Sequence, residues 1–163
     1  MINKFIHFIT CPLNIFQPFK VLSIVKIIEN LEKEKEFEKA DKLRTEWIQK
    51  VKFKNSAPLL FSRGTYHLYY TKKYQIAFFS FENAITAFER QILHCSAVNP
   101  LELYYGCSVS AIMIGRIDKG EEYFKGVMKY YNLIASGKNI SEYAKSYAKR
   151  IEWIKEQLDR NVA

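Results

Sequence analysis

The sequence predicts an all-α protein built from helical hairpins. Apolar residues recur at spacings of three and four over most of the 163-residue chain, as they do on one face of an α-helix. Proline, glycine and asparagine stand where successive helices should begin or end. No run of alternating apolar and polar residues predicts a strand. We therefore expect one helical domain over residues 19–163.

Two stretches of the chain repeat one arrangement of large, small and aromatic residues. The first consists of Phe61, Gly64, Thr65, Leu68, Ala77, Phe81 and Ala84, and the second of Tyr104, Cys107, Ser108, Ala111, Gly120, Phe124 and Val127. In each, a first helix is followed by a short polar turn, and a small residue leads the second helix. Small side chains allow the two backbones to approach closely, and Phe81 and Phe124 should fill the space between them.

A first, degenerate hairpin is predicted over residues 19–52. Its first helix, at about 19–34, carries a stripe of apolar residues, and its second helix begins near Phe37 after a short charged turn. The preceding residues 1–18 are predicted to be an irregular lead-in. Their apolar run is too short for a signal peptide or for a spanning helix, which needs about 20 apolar residues.

The second predicted hairpin covers residues 57–96. Ser56 is a plausible N-cap, and Pro58 fits the first turn of a helix, where its missing N–H is not needed. The turn at Lys72 and Lys73 should lead into a long helix at about 74–94.

The third predicted hairpin covers residues 100–136 and has the sharpest start signal. Asn99 can cap the helix, Pro100 fits its first position, and Glu102 stands where the acid of a capping box reaches back to the N-cap. The first helix of this hairpin should end near Gly115.

A last amphipathic helix is predicted over residues 141–160. Its apolar stripe comprises Ala144, Tyr147, Ile151, Ile154 and Leu158, and charged residues occupy the opposite face. Such a helix can shield the open end of a stack of hairpins from solvent. The alternative is that the same stripe binds a partner or a second copy of the chain.

The alternation of large and small residues resembles the tetratricopeptide repeat (TPR), a helix-turn-helix unit that stacks into a right-handed superhelix. The resemblance implies a TPR-like α-α superhelix of three hairpins plus a C-terminal capping helix, with a concave surface that binds proteins or peptides. The match is imperfect, because Ala40 to Ala77 spans 37 residues and Ala77 to Gly120 spans 43, against a usual repeat of about 34.

A shorter match lies at Phe61-Ser62-Arg63-Gly64-Thr65-Tyr66. It is similar to the F-x-R-G-x-Y opening of repeats in peptide-sensing regulators of Gram-positive bacteria, such as the Rap-type proteins. That resemblance implies a bound signalling peptide and a response regulator or DNA-binding partner. The chain is about half the length of those proteins.

The net charge of +8 is spread along the chain. An excess of two basic residues occurs in each of the segments 1–35, 36–56, 57–98 and 138–163, and residues 99–137 are balanced. Dedicated nucleic-acid binding is therefore not favoured, since phosphate recognition requires clustered Lys and Arg. Three cysteines without a CxxC pair argue against a disulfide framework and favour a cytoplasmic protein.

The chain contains no recognisable catalytic, cofactor or metal motif. No phosphate-binding glycine loop or nucleophile elbow is present, and His94, Cys95 and Cys107 are too few to complete a zinc site. We therefore expect no enzymatic activity, no cofactor and no metal.

The third and fifth helices should line the concave side of the stack and form a partner-binding groove. The candidate residues are Ser62, Arg63, Tyr66, Tyr69, Tyr70, Lys73, Glu102, Tyr105, Val109 and Ile112. Tyrosines offer rigid apolar area and a hydroxyl at low entropic cost, as at recognition surfaces. The alternative is that they pack between hairpins. For Arg63 the favoured role is an ion pair with Glu82 or Glu89, and the alternative is a carboxylate ligand in the groove.

The expected function is binding of a protein or peptide segment, in a regulatory or scaffolding role. The alternative is a regulator that contacts nucleic acid or an acidic partner, such as a response regulator, through Lys145, Lys149 and Arg150. A third interpretation is that the chain is a fragment of a longer repeat protein. The sequence predicts no membrane association.

Overall fold

The computed structural model describes residues 17–50, 56–90, 98–136 and 142–161. These residues are almost entirely helical and contain no strand, which confirms the predicted all-α class. The helices are α1 (Gln17–Lys33), α2 (Phe37–Gln49), α3 (Ala57–Tyr66), a π-helical turn (His67–Thr71), α4 (Tyr74–Arg90), α5 (Pro100–Met113), α6 (Ile117–Ala135) and α7 (Glu142–Arg160). Within these ranges, no helix combines the length and the apolar character needed to cross a membrane.

The predicted helix starts agree well with the structure. Asn99 caps α5 by accepting a hydrogen bond from the Leu101 N–H at 3.0 Å, and Pro100 occupies the first turn. Glu102 does not complete a capping box, since its carboxylate instead accepts a hydrogen bond from the Tyr143 hydroxyl. Most of the predicted lead-in 1–18 lies outside the described residues, as does the end of the helix predicted to reach residue 94.

Each helix packs against its neighbours along the chain, and alternate helices also touch. The most extensive packing is that of α5 with α6, α3 with α4, and α4 with α5. In addition, α3 contacts both α1 and α5, and α7 packs against α6 and α5. The main core lies around Phe78 and Phe81 of α4 and Leu103 of α5, and Ile154 of α7 joins it.

Two glycines on different helices hold the ring of Phe81 between them. A Cβ built on Gly64 of α3 would lie 2.7 Å from the ring, and one built on Gly106 of α5 would lie 2.5 Å from it. Real Cβ atoms do not approach this closely, so both positions require a residue without a side chain. The sequence predicts the role of Gly64 but not that of Gly106.

A buried arginine joins the first three helices. Arg44 of α2 has no exposed surface, and its guanidinium donates to Glu32 of α1, to Asp41, and to the Ser62 hydroxyl of α3. The same group lies 4.8 Å from the ring centroid of Tyr66. Burial raises the pKa of Glu32, and the attraction of Arg44 opposes that shift. A buried charge with this many partners fixes the relative positions of the helices that supply them.

Candidate functional site

A π-helical turn follows α3 and directs its two adjacent tyrosines, Tyr69 and Tyr70, toward different neighbours. After Tyr66 the backbone widens over His67–Thr71, and Lys72 closes the turn in the left-handed region at φ 56°. Because a π-turn inserts extra backbone, it changes the direction in which the following side chains project. Tyr69 and Tyr70 are 46% and 54% exposed, but their partners differ.

Tyr70 faces the second helix. Its ring lies 4.9 Å from that of Phe37 and stacks on Tyr66 at 5.9 Å. Tyr69 faces α5 and α7, where it forms the boundary between two adjoining cavities. We call these two cavities together the Tyr69 groove.

The two cavities differ in chemistry. The apolar cavity, of about 200 Å³, is lined by Leu68, Tyr69, Lys72, Tyr74, Tyr105, Val109, Met113 and Trp153. The polar cavity, of about 240 Å³, is lined by Phe61, Thr65, Tyr69, Phe81, Glu102, Gly106, Tyr147 and Arg150. Each has the size of one large side chain, and Tyr69 is common to both.

Among the described residues that line it, the polar cavity has one cation, Arg150, and one anion, Glu102. The Arg150 guanidinium carbon lies 5.7 Å from the ring centroid of Tyr105 and 4.9 Å from that of Tyr147. Glu102 accepts a hydrogen bond of 3.2 Å from the Tyr143 hydroxyl, which itself accepts one of 2.6 Å from the Asn99 amide. This chain of hydrogen bonds ties the first turn of α7 to the start of α5.

The groove tyrosines are neutral at physiological pH. Burial raises the pKa of Tyr69 to about 12, although the nearby charge of Arg150 acts in the opposite direction. Burial also raises the pKa of Tyr105, again against the effect of Arg150. Both side chains therefore present an apolar ring and a hydroxyl that can donate a hydrogen bond.

The structure brings together four of the predicted groove residues, and these lie on α5 and the π-turn. Tyr69, Glu102, Tyr105 and Val109 all line one or both cavities. Val109 is 8% exposed, so it forms the floor of the apolar cavity.

Four of the predicted residues belong to other surroundings. Ser62 and Tyr66 contact the buried Arg44, and Tyr66 is 8% exposed. Ile112 is also buried, and a Cβ on Gly120 would lie 2.7 Å from its Cγ1. Tyr70 lies on the side of α2, against Phe37.

Lys73 and Arg63 line neither cavity. Lys73 is exposed just after the π-turn. The ion pair predicted for Arg63 with Glu82 or Glu89 is not formed in the structure. Glu82 instead accepts a hydrogen bond from Tyr123, and Glu89 accepts one from Tyr104. Within the described part of the chain Arg63 forms no ion pair, and its buried Nε has no hydrogen-bond partner.

Sequence reasoning missed the contribution of α7 to the groove. Tyr147, Arg150 and Trp153 all line the cavities. Tyr147 belongs to the apolar stripe of the helix and is correctly predicted to be buried, at 2% exposure. The helical period places Arg150 on the charged outer face together with Lys149, and nothing in the local pattern distinguishes the two residues.

The cysteine that the structure describes is buried in the core. Cys107 has no exposed surface, and burial raises the pKa of its thiol well above the usual value. His94 and Cys95 lie outside the described residues. Among the described residues, no group of three His, Cys, Asp or Glu side chains is placed to hold a metal ion.

Comparison with known proteins adds no further assignment. No protein-family model matches the chain, and neither a curated protein nor a solved structure is significantly similar to it.

Proposed function

We propose that this chain is a protein- or peptide-binding module that binds an extended segment in the Tyr69 groove. The observation that carries the proposal is the position of Tyr69, a half-exposed aromatic ring between two adjoining cavities. A half-exposed tyrosine between an apolar and a polar cavity offers the mixed apolar and hydrogen-bonding contacts that are typical of a recognition surface.

The division of the groove into two small cavities favours a segment of chain over a small molecule, because each cavity taken singly is smaller than a usual ligand pocket. Ligand pockets usually enclose about 300–1,000 Å³. The two cavities have about 200 and 240 Å³, and each fits one side chain. An extended segment can place separate side chains in neighbouring cavities, since alternate side chains project to the same side.

A TPR-like superhelix is part of this proposal. Contacts of α3 with both α1 and α5, and of α5 with α7, support it, because alternate helices of such a stack lie side by side. In such an arrangement α3 and α5 line the inner surface, and α7 lies at its end. The module would then act in a regulatory or scaffolding role.

The test is a comparison of two neighbouring tyrosines. A phage-displayed library of random dodecapeptides is selected on the full chain, and the affinities of enriched peptides are measured by fluorescence anisotropy. Tyr69→Ala should weaken binding about tenfold or more, as expected for an aromatic residue at the centre of an interface. The matched control Tyr70→Ala removes an equally exposed ring on the α2 side and should leave the affinity unchanged. Equal effects of the two variants, or no enriched peptide, would overturn the proposal.

The alternative is that nucleic acid or an acidic partner binds the basic residues of α7. The contacts of these residues support it less well. Lys145 lies 3.4 Å from Glu142, and Arg150 lies over Tyr105 and Tyr147. Binding of a labelled single-stranded oligonucleotide that weakens steeply with added salt and ignores Tyr69→Ala would favour that alternative.

A further inference from the structure

The polar cavity holds a cation whose charge is not matched by an ion pair. Arg150 is exposed, and among the described residues no carboxylate lies within 4.0 Å of its guanidinium nitrogens. By contrast, Arg160 on the same helix has Glu156 at 3.9 Å, and the buried Arg44 has two carboxylates. Arg150 therefore keeps its charged N–H donors available in the groove.

The aromatic rings beside Arg150 hold its guanidinium at the cavity wall. Its carbon is 5.7 Å from the centroid of Tyr105 and 4.9 Å from that of Tyr147. A guanidinium that lies against aromatic faces still presents its edge, where two parallel N–H groups match a carboxylate. The contact with the rings thus reduces the conformational entropy that the Arg150 side chain loses when a ligand binds.

The one anion of the cavity, Glu102, has another partner. Its carboxylate accepts the hydrogen bond of the Tyr143 hydroxyl, which is fixed in turn by the Asn99 amide. Glu102 is thus held to the start of α7 and does not form an ion pair with Arg150. Its negative charge opposes the attraction of Arg150 for a ligand carboxylate, so a segment with several acidic groups near this cavity would be disfavoured.

We propose that Arg150 binds an acidic side chain of the segment in the Tyr69 groove, while an apolar side chain of the same segment enters the neighbouring apolar cavity. This inference rests on the proposed function. The preferred partner is therefore an extended segment that combines one Asp or Glu with a nearby large apolar residue. Lys72, at the apolar cavity, adds to the positive potential that such a segment meets.

The experiment uses peptides enriched on the full chain from the random dodecapeptide library. Their sequences should be enriched in one acidic residue beside large apolar residues. For one such peptide, a second version is synthesised in which the acidic residue is replaced by the corresponding amide, Asn for Asp or Gln for Glu. Both are titrated against wild type, Arg150→Gln and the matched control Lys149→Gln, which removes the neighbouring charge on α7 outside both cavities.

The expected result is a coupling between the peptide acid and Arg150. Arg150→Gln should weaken binding of the acidic peptide about fivefold and binding of the amide peptide less than about twofold. Lys149→Gln should affect both peptides equally and slightly. Glu102→Gln should strengthen binding of the acidic peptide about twofold, because it removes a repulsive charge. Since Arg150 and Lys149 are exposed, Arg150→Gln and Lys149→Gln should keep the wild-type circular dichroism spectrum.

Three results would overturn the inference. The first is that the enriched peptides contain no acidic residue. The second is that Arg150→Gln lowers the affinity for the acidic and the amide peptide equally. The third is that Glu102→Gln weakens binding of the peptide, which would indicate a basic segment. If Tyr69→Ala still weakens binding about tenfold or more in these cases, only the inference fails. If Tyr69→Ala has no effect either, the proposed function fails with it.

Discussion

Phe81 and Gly106 are in such close contact that a methyl group on Gly106 would lie 2.5 Å from the Cζ of the phenylalanine ring. Gly64 bounds the ring from the other side, and Phe81 is only 1% exposed. The contact sets the distance between α4 and α5 and lies directly beneath the polar cavity, which both residues line.

Gly106→Ala should therefore destabilise the fold, although alanine is the better helix former. Overpacking in a dense core costs about 1–3 kcal/mol, which outweighs a gain in helix propensity of about 1 kcal/mol. Urea denaturation followed by circular dichroism measures the change in the free energy of unfolding. Phe81→Leu in the same background should recover part of the loss. A Gly106→Ala protein as stable as wild type would show that the ring can move aside.

Arg44 gives the second stability prediction. Arg44→Ala removes a buried charge with partners on three helices and leaves Glu32 with an unpaired carboxylate. Loss of one member of a buried ion pair costs about 3–5 kcal/mol. The control is Lys39→Ala, which breaks the exposed pair of Lys39 with Glu36 and should cost less than about 1 kcal/mol. Similar midpoints of urea unfolding for the two variants would contradict the structural role of Arg44.

The pH dependence of stability should contain a contribution from His67. The side chain is 4% exposed, and its Nδ1 lies 2.9 Å from the Thr71 hydroxyl. Burial lowers the pKa of His67. The charge of Asp41 raises this pKa, and the charges of Arg63, Arg44 and Lys73 lower it further. The unfolded chain therefore binds a proton more readily than the folded one. The contribution is complete above the unfolded pKa of about 6.5 and is lost as the pH falls through the lower, folded pKa.

His67→Gln should flatten this part of the profile. We expect the difference in stability between about pH 7.5 and about pH 5 to be smaller in the variant than in wild type. Urea denaturation at several pH values measures it, and His67 protonation can be followed separately by NMR. An unchanged slope, or a folded-state pKa above 6.5, would contradict the predicted direction.

The sequence predicts the fold class and helix starts because these depend on local signals. The pair Asn99 and Pro100 marks the start of α5 by cap chemistry that needs no tertiary contact. The apolar stripe of α7 likewise identifies its buried face, since Tyr147 and Ile154 are 2% and 0% exposed.

The candidate groove was harder to predict, for two physical reasons. A period of 3.6 residues places Tyr66, Tyr69 and Tyr70 near one face of an unbroken α-helix, but the π-turn directs Tyr69 and Tyr70 to different neighbours. Such a turn depends on tertiary packing and has no strong sequence signal. In addition, the stripe of α7 does not specify its packing partner, so the position of Arg150 in the groove follows only from the assembled structure.

Tyr143 provides the last prediction, because its hydroxyl joins α7 to the start of α5. Tyr143→Phe keeps the ring but removes the hydrogen bonds with Asn99 and Glu102. Each typically contributes about 0.5–1.5 kcal/mol, so the variant should be less stable by about 1–2 kcal/mol. The loss should be concentrated in α7, whose amides should exchange with deuterium faster than those of α4. Lys145→Gln, which removes an exposed ion pair in the same helix, is the control and should leave exchange unchanged. Uniform acceleration across all helices would instead mean that the hydroxyl stabilises the whole fold and does not specifically hold α7 against the groove.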